Sequence, residues 1–152
     1  MPQRFGNSAG LICLVLLSAF IGAVAMFFGM SARENYRPSN SDNEIEAVLL
    51  ETVQKTNSQL PVMIDPDTRF DTALCVGKQV HYKYTLVRLL EREIDKEEFR
   101  DRLSRGLTRS MLADEGMVAI LSKGVEYLYM YFDREGTPIA TITISEKNLA
   151  LE

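Results

Sequence analysis

Cys75 and His81 are the two side chains whose types and spacing could do chemistry together. A thiol that gives up its proton to a neighbouring imidazole becomes a strong nucleophile. The alternating stretches Arg69–Val76 and Val80–Val87 flank Gly77-Lys78-Gln79 and predict a β-hairpin. With a three-residue loop, Val76 aligns with Val80, Leu74 with Tyr82, Thr72 with Tyr84 and Phe70 with Leu86, so apolar residues share one face. That register sets Cys75 directly opposite His81, on a face with Asp71, Ala73, Lys83 and Thr85. No third residue is evident to orient the imidazole, and the plainer reading is two strand residues on a half-exposed face.

Other catalytic signatures are missing. His81 is the chain's single histidine, and the sequence holds no HxxxH, CxxC, GxSxG, P-loop or GxGxxG pattern. Asp65, Asp67 and Asp71 resemble a cation loop at first sight. Pro66 and the lack of an EF-hand glycine spacing argue instead for solvated turn carboxylates. The expectation is a chain that is not an enzyme, with no catalytic residue, no cofactor and no metal.

Binding surfaces are the alternative source of function. A second hairpin is read from Val125–Phe132 and Thr137–Ile144 around Asp133-Arg134-Glu135-Gly136. A four-residue loop pairs Val125 with Ile144, Tyr127 with Ile142 and Tyr129 with Ala140, a face assigned to the core. Tyr82, Tyr84, Tyr127, Tyr129 and Tyr131 read as core aromatics more readily than as a ligand cage. The opposite face carries Leu128, Met130, Phe132 and Ile139, which nothing else in the domain is left to cover. These four are the candidate partner-binding residues, expected to be solvent-exposed. The competing reading is that the tether or the first helix folds over them.

Helices must hold these hairpins. Ser41-x-x-Glu44 has capping-box spacing, and Ile45, Val48, Leu49, Thr52 and Val53 share one face until Asn57-Ser58. Leu60–Ile64 is an extended connection and Asp65-Pro66-Asp67-Thr68 a turn. Asp95 with Glu98 caps a second helix, Ile94 staples to Phe99, and Phe99, Leu103 and Leu107 make its buried stripe. Gly106 and Ser110 weaken its end, and Glu91–Asp101 reads as a charged outer helix face. A third helix follows from Asp114, burying Met117, Ile120 and Leu121, with Gly124 as its terminating glycine.

The N-terminus has a different character. Gly10–Met30 contains neither a charge nor a proline, and as a helix it would span about 30 Å, the thickness of a bilayer core. The expected organisation is an N-terminal flank (1–9), a transmembrane helix (10–30), a flexible tether (31–43) and one domain (44–152). Cleavage after Ala25 as a secretory signal is the alternative, although Met26-Phe27-Phe28 continue the apolar run. Arg4 on one flank and Arg33 with Arg37 on the other leave orientation nearly tied. Either reading as an export signal puts the domain outside the cytoplasm, single-pass at the inner membrane or secreted into the periplasm.

Residues 43–152 hold 14 of the 17 Lys and Arg and 19 of the 21 Asp and Glu, a formal charge of −5. Such a domain lacks the basic stripe that nucleic acid requires, and it has no electrostatic reason to lie on anionic lipid. Cys13 lies in the apolar run, so Cys75 is alone in the domain. The fold class is α+β: the transmembrane helix, then an α-ββ-αα-ββ domain whose four-stranded antiparallel sheet is covered by helices on one face.

Leu60-Pro61, Asp65-x-x-Thr68-Arg69-Phe70-Asp71, Tyr82–Val87, Gly124-Val125-x-Tyr127-x-Tyr129-x-Tyr131 and Asp133-x-x-Gly136 together resemble a family of small exported bacterial proteins of uncharacterised function. The resemblance covers most of residues 45–149 and implies an envelope location without supplying an activity. Members usually carry two cysteines in the C-terminal half, at positions that read Leu112 and Leu149 here. It therefore implies that these leucines lie close together, with the segment after Ile144 beside the end of the second helix. The reading reached is a membrane-anchored envelope domain acting through protein contacts, as an accessory or assembly factor. The alternative is a small-molecule or lipid-binding envelope domain with a cavity between sheet and helices.

Overall fold

The structure, a computed structural model, describes residues 42–150. The apolar run 10–30 and nearly all of the tether lie outside the described residues. Among the described residues, no helix is long and apolar enough to cross a membrane.

Helix α1 spans Asp42–Asn57, so it takes in the last two residues assigned to the tether. It buries Ile45, Leu49, Val53 and Thr56, the face that the helical spacing predicts. Strand β1 (Val62–Met63) follows, then β2 (Thr68–Val76) and β3 (Gln79–Leu86). A 3-10 turn at Glu91–Glu93 precedes helix α2 (Lys96–Leu112). The charged run from Glu91 is thus interrupted at Ile94 and Asp95. Asp95 caps α2 by accepting from the Glu97 and Glu98 amides. The helix passes through Gly106 and Ser110 without a break, because Phe99, Leu103, Leu107 and Met111 stay buried along its whole length. Each such side chain contributes about 1.5–3 kcal/mol on burial, more than a mid-helix glycine costs.

Asp114 caps the short helix α3 (Glu115–Leu121) through the Gly116 and Met117 amides. Gly124, at φ +78°, takes the left-handed position that ends it. Strands β4 (Glu126–Asp133) and β5 (Pro138–Ile144) then form the second hairpin, and a 3-10 turn, Glu146–Ala150, ends the described chain against α3.

The sheet has five strands in the order β1-β2-β3-β4-β5, not four. It is also mixed: β3 and β4 run parallel, from Gln79 beside Glu126 to Leu86 beside Asp133. Parallel neighbours need a crossover, and the segment carrying α2 and α3 supplies it. The extended connection after Leu60 becomes an edge strand because Val62 and Met63 pair with Phe70 and Arg69. One core joins the helices to a single sheet face. In it, Phe70 stacks on Tyr84 at 4.7 Å between ring centres, Tyr84 on Tyr131 at 5.0 Å, and Phe99 meets Tyr131 edge-on at 5.5 Å.

Both hairpin registers differ from expectation, for a local reason each time. In the first, Gly77 adopts φ +58° and makes a two-residue turn, so Val76 pairs with Gln79, Leu74 with His81 and Ala73 with Tyr82. A bulge between Phe70 and Thr72 then returns Phe70 to the buried face. Leu74 and Val76 consequently point outward, 55% and 65% exposed, while Ala73 is fully buried. In the second hairpin, the Asp133 amide donates to the Thr137 carbonyl, which shortens the loop. A further shift beyond Phe132 brings Tyr127 opposite Ile144, Tyr129 opposite Ile142 and Tyr131 opposite Ala140. The net slip of two residues keeps the tyrosines on the core face. Ile139, however, turns inward and is only 6% exposed.

Candidate functional site

The corrected first hairpin separates the two residues with the chemistry of a nucleophile pair. Cys75 pairs with Val80 toward the helix-covered face, whereas His81 pairs with Leu74 and Leu128 on the opposite face. The Cys75 thiol donates to the Gly77 carbonyl at 3.3 Å. Burial, and secondarily the Glu46 carboxylate, push its pKa up. An activated thiol needs the opposite shift. His81 Nε2 is enclosed and makes no hydrogen bond among the described residues.

The three aspartates do not converge either. Asp65 Oδ1 accepts from the Asp67 and Thr68 amides at 2.8 Å each, fixing the turn. Asp67 faces Arg88 at 3.3 Å. Asp71 accepts from Arg69 Nε and from Thr85 Oγ1, both at 2.5 Å. Among the described residues, no group of three His, Cys, Asp or Glu side chains could hold a metal ion.

One cleft opens between sheet and helices. An apolar cleft between α1 and α3, floored by Val80, Tyr82 and Tyr127, has a volume of about 30 Å³. That is room for a water or two, against the few hundred cubic ångströms that a small-molecule site occupies. The tyrosines are buried in the core beside it. Burial lifts the pKa of all five hydroxyls well above the ordinary tyrosine range, and Tyr129 donates to Met111 Sδ at 3.4 Å.

The sheet face away from the helices is the more open surface, and strand register orders it in rows. One row runs Leu74, His81, Leu128, Thr143; the next Thr72, Lys83, Met130, Thr141; a third Arg69, Thr85, Phe132. Leu128, Met130 and Phe132 therefore form an apolar strip along β4, about 13 Å long at roughly 3.3 Å per residue. All three are half-buried rather than bare, because flanking strand residues cover part of each. Ile139 leaves the set, since its bulge carries it into the core.

At one end of the strip lies an open depression of about 620 Å³ bordered by Pro61, Arg69, Asp71, Lys83, Thr85, Phe132, Asp133, Arg134, Glu135 and Gly136. Lys83 Nζ sits 4.9 Å from the centre of the Phe132 ring, a cation–π arrangement. No carboxylate lies within ion-pair reach of Lys83 among the described residues. Asp133, on the rim, is engaged inward: its carboxylate accepts from the amides of Glu91 at 3.0 Å and of Glu135 and Thr137 at 2.8 Å each.

Sequence reasoning found the apolar strip but missed this depression. The signal was the alternation of Arg69, Lys83 and Thr85 against buried neighbours. It stayed hidden because Lys83 and Thr85 reach Phe132 only through the parallel pairing of β3 with β4, which hydrophobic alternation does not reveal.

No family model and no curated protein matches the chain. Solved structures do. A candidate secreted protein of Pseudomonas aeruginosa superposes with a TM-score of 0.59 at 18% identity, over 74% of this chain and 98% of its own. The type II secretion system pilotin of Vibrio cholerae does so with 0.54 at 13% identity, over 70% and 94%. That of Vibrio vulnificus gives 0.59 at 10% identity, over 73% and 96%. At these identities the likeness is one of fold. It extends over nearly the whole length of each neighbour.

Proposed function

We propose that this chain is a cell-envelope accessory or assembly factor that works by holding another protein, and that it does so without catalysis. The observation that carries the reading is the strip Leu128–Met130–Phe132, which no helix covers among the described residues, on a fold shared with two type II secretion pilotins and a candidate secreted protein. A row of half-buried apolar side chains ending in a polar depression has the form of a contact surface. The charge-free run from Gly10 to Met30 supports export, with the segment retained as an anchor. The cleft between α1 and α3, at about 30 Å³, gives a ligand little room.

The test pairs a surface variant with a core variant in the full chain. Met130→Ser with Phe132→Ser should lower stability by no more than about 1–2 kcal/mol, since both side chains are half-exposed already. The same variant should abolish co-purification of the protein that the wild-type chain retains from envelope extracts. Leu103→Ala, deep in the core, should cost about 2–5 kcal/mol. If the double variant keeps its companion, or loses as much stability as Leu103→Ala, the sheet face is not the binding surface.

A further inference from the structure

We infer that the depression beside Phe132 is a carboxylate-recognising subsite, occupied by an Asp or Glu side chain of an extended protein segment whose apolar residues lie along Leu128 and Met130. The inference rests on the proposed protein-binding reading of this face and adds the chemistry of what is bound.

Three observations support it. First, the charges in the depression are unequally committed. The Asp71 carboxylate is held on one oxygen by Arg69 and on the other by Thr85. The Asp133 carboxylate is held by three backbone amides. Arg134 and Glu135 on the rim have no ion pair among the described residues, and Lys83 there has only the Phe132 ring. A cation resting on an aromatic face, with no anion of its own among the described residues, is arranged to accept one from outside.

Second, the surroundings are apolar and continuous. From Lys83 the register leads directly to Met130, and from His81 to Leu128. An extended segment presents alternate side chains to such a surface. Because Lys83 Nζ leans over the Phe132 ring, one register step beyond Met130, a carboxylate at Nζ would be level with Phe132 and would be followed, two and four residues on, by side chains facing Met130 and Leu128.

Third, charge separates a protein from a lipid headgroup as the source of the anion. The chain carries a net charge of −4, and Glu126 and Glu135 stand at opposite ends of β4 and its loop. An anionic bilayer would be repelled by that field, whereas the uncommitted charges of the depression, Lys83 and Arg134 against Glu135, leave one net positive charge for a single acidic side chain within an apolar segment.

The experiment uses the full chain in mild detergent with two labelled synthetic peptides, Asp-Thr-Leu-Thr-Leu-Thr and its Asn-Thr-Leu-Thr-Leu-Thr counterpart. Vesicles containing anionic lipid serve as a further probe. Fluorescence anisotropy at low salt should show the Asp peptide binding about tenfold more tightly than the Asn peptide, as one charge-assisted contact predicts. Lys83→Met should erase that preference, Lys83→Arg should keep it, and an unchanged melting temperature would show both variants folded. Equal binding of the two peptides, binding of neither, a preference that survives Lys83→Met, or Lys83-dependent binding to the anionic vesicles would each overturn the subsite. Capture of a protein through Met130 and Phe132 despite equal peptide binding would remove the subsite alone and leave the proposed function standing.

Discussion

The side chain of Asn57, the last residue of α1, stands in for a missing strand against Ala73 of β2. Its Oδ1 accepts from the Ala73 amide at 2.8 Å while its Nδ2 donates to the Ala73 carbonyl at 2.7 Å. Strand β1 covers only Phe70 and Arg69 of that edge, so the carboxamide satisfies the backbone where β1 has ended. An open strand edge is a site for unwanted pairing, and here a helix terminus closes it.

Asn57→Ala should therefore destabilise the domain by about 1–3 kcal/mol, the usual effect of leaving partly buried polar groups unpaired. Asn57→Asp should not rescue it, since a carboxylate would face the Ala73 carbonyl without a donor. Urea melts of the three proteins check this. Equal stability of wild type and Asn57→Ala would show that water serves the edge just as well.

Asp133 predicts an acid-sensitive turn. Burial opposes its ionisation, but the Glu91, Thr137 and Glu135 amides outweigh that and hold its pKa below the ordinary aspartate value. Because the folded-state pKa lies below the unfolded one, the stabilisation is present above the unfolded value and is lost as pH falls through the folded one. The domain should therefore lose stability below about pH 4. Asp133→Asn should be less stable at neutral pH and show a shallower acid dependence than wild type. Parallel stability–pH curves for the two proteins would show that this carboxylate is not the group responsible.

Much of the fold was legible because its signals are local. Asp95 and Asp114 cap their helices by hydrogen bonds within three residues, and Phe99, Leu103 and Leu107 recur at helical spacing. What could not be read depends on single-residue insertions. One bulge beside Asp71 decides whether Leu74 or Ala73 is buried, and another at Ile139 decides whether it belongs to the surface or the core. The parallel pairing of β3 with β4 depends on how α2 and α3 return the chain, which no alternation pattern records. As a result the strip Leu128–Met130–Phe132 and the outward placement of Lys83 and Thr85 were both visible from period two, while their meeting beside Phe132 was not.

The exported-protein resemblance carries a prediction about Leu112 and Leu149. The C-terminal 3-10 turn lies against α3, the helix after the one that Leu112 ends; the side chain of Leu149 is outside the described residues. Leu112→Cys with Leu149→Cys should form a disulfide, which requires Cα atoms within about 7 Å. The oxidised form should melt higher than the reduced one, because the closed loop restricts the unfolded chain by a few kcal/mol. Failure to oxidise under non-denaturing conditions would refute the pairing and the alignment behind it.

The central claim, that the open sheet face holds another protein, is tested most directly by site-specific photocrosslinking in cells. A photoreactive phenylalanine analogue at Met130 of the full chain should give one discrete cross-linked species. The same group at Arg100, an exposed position on α2 over the other face, should give none. Cross-linking from Arg100 but not Met130, or from neither position, would contradict the account.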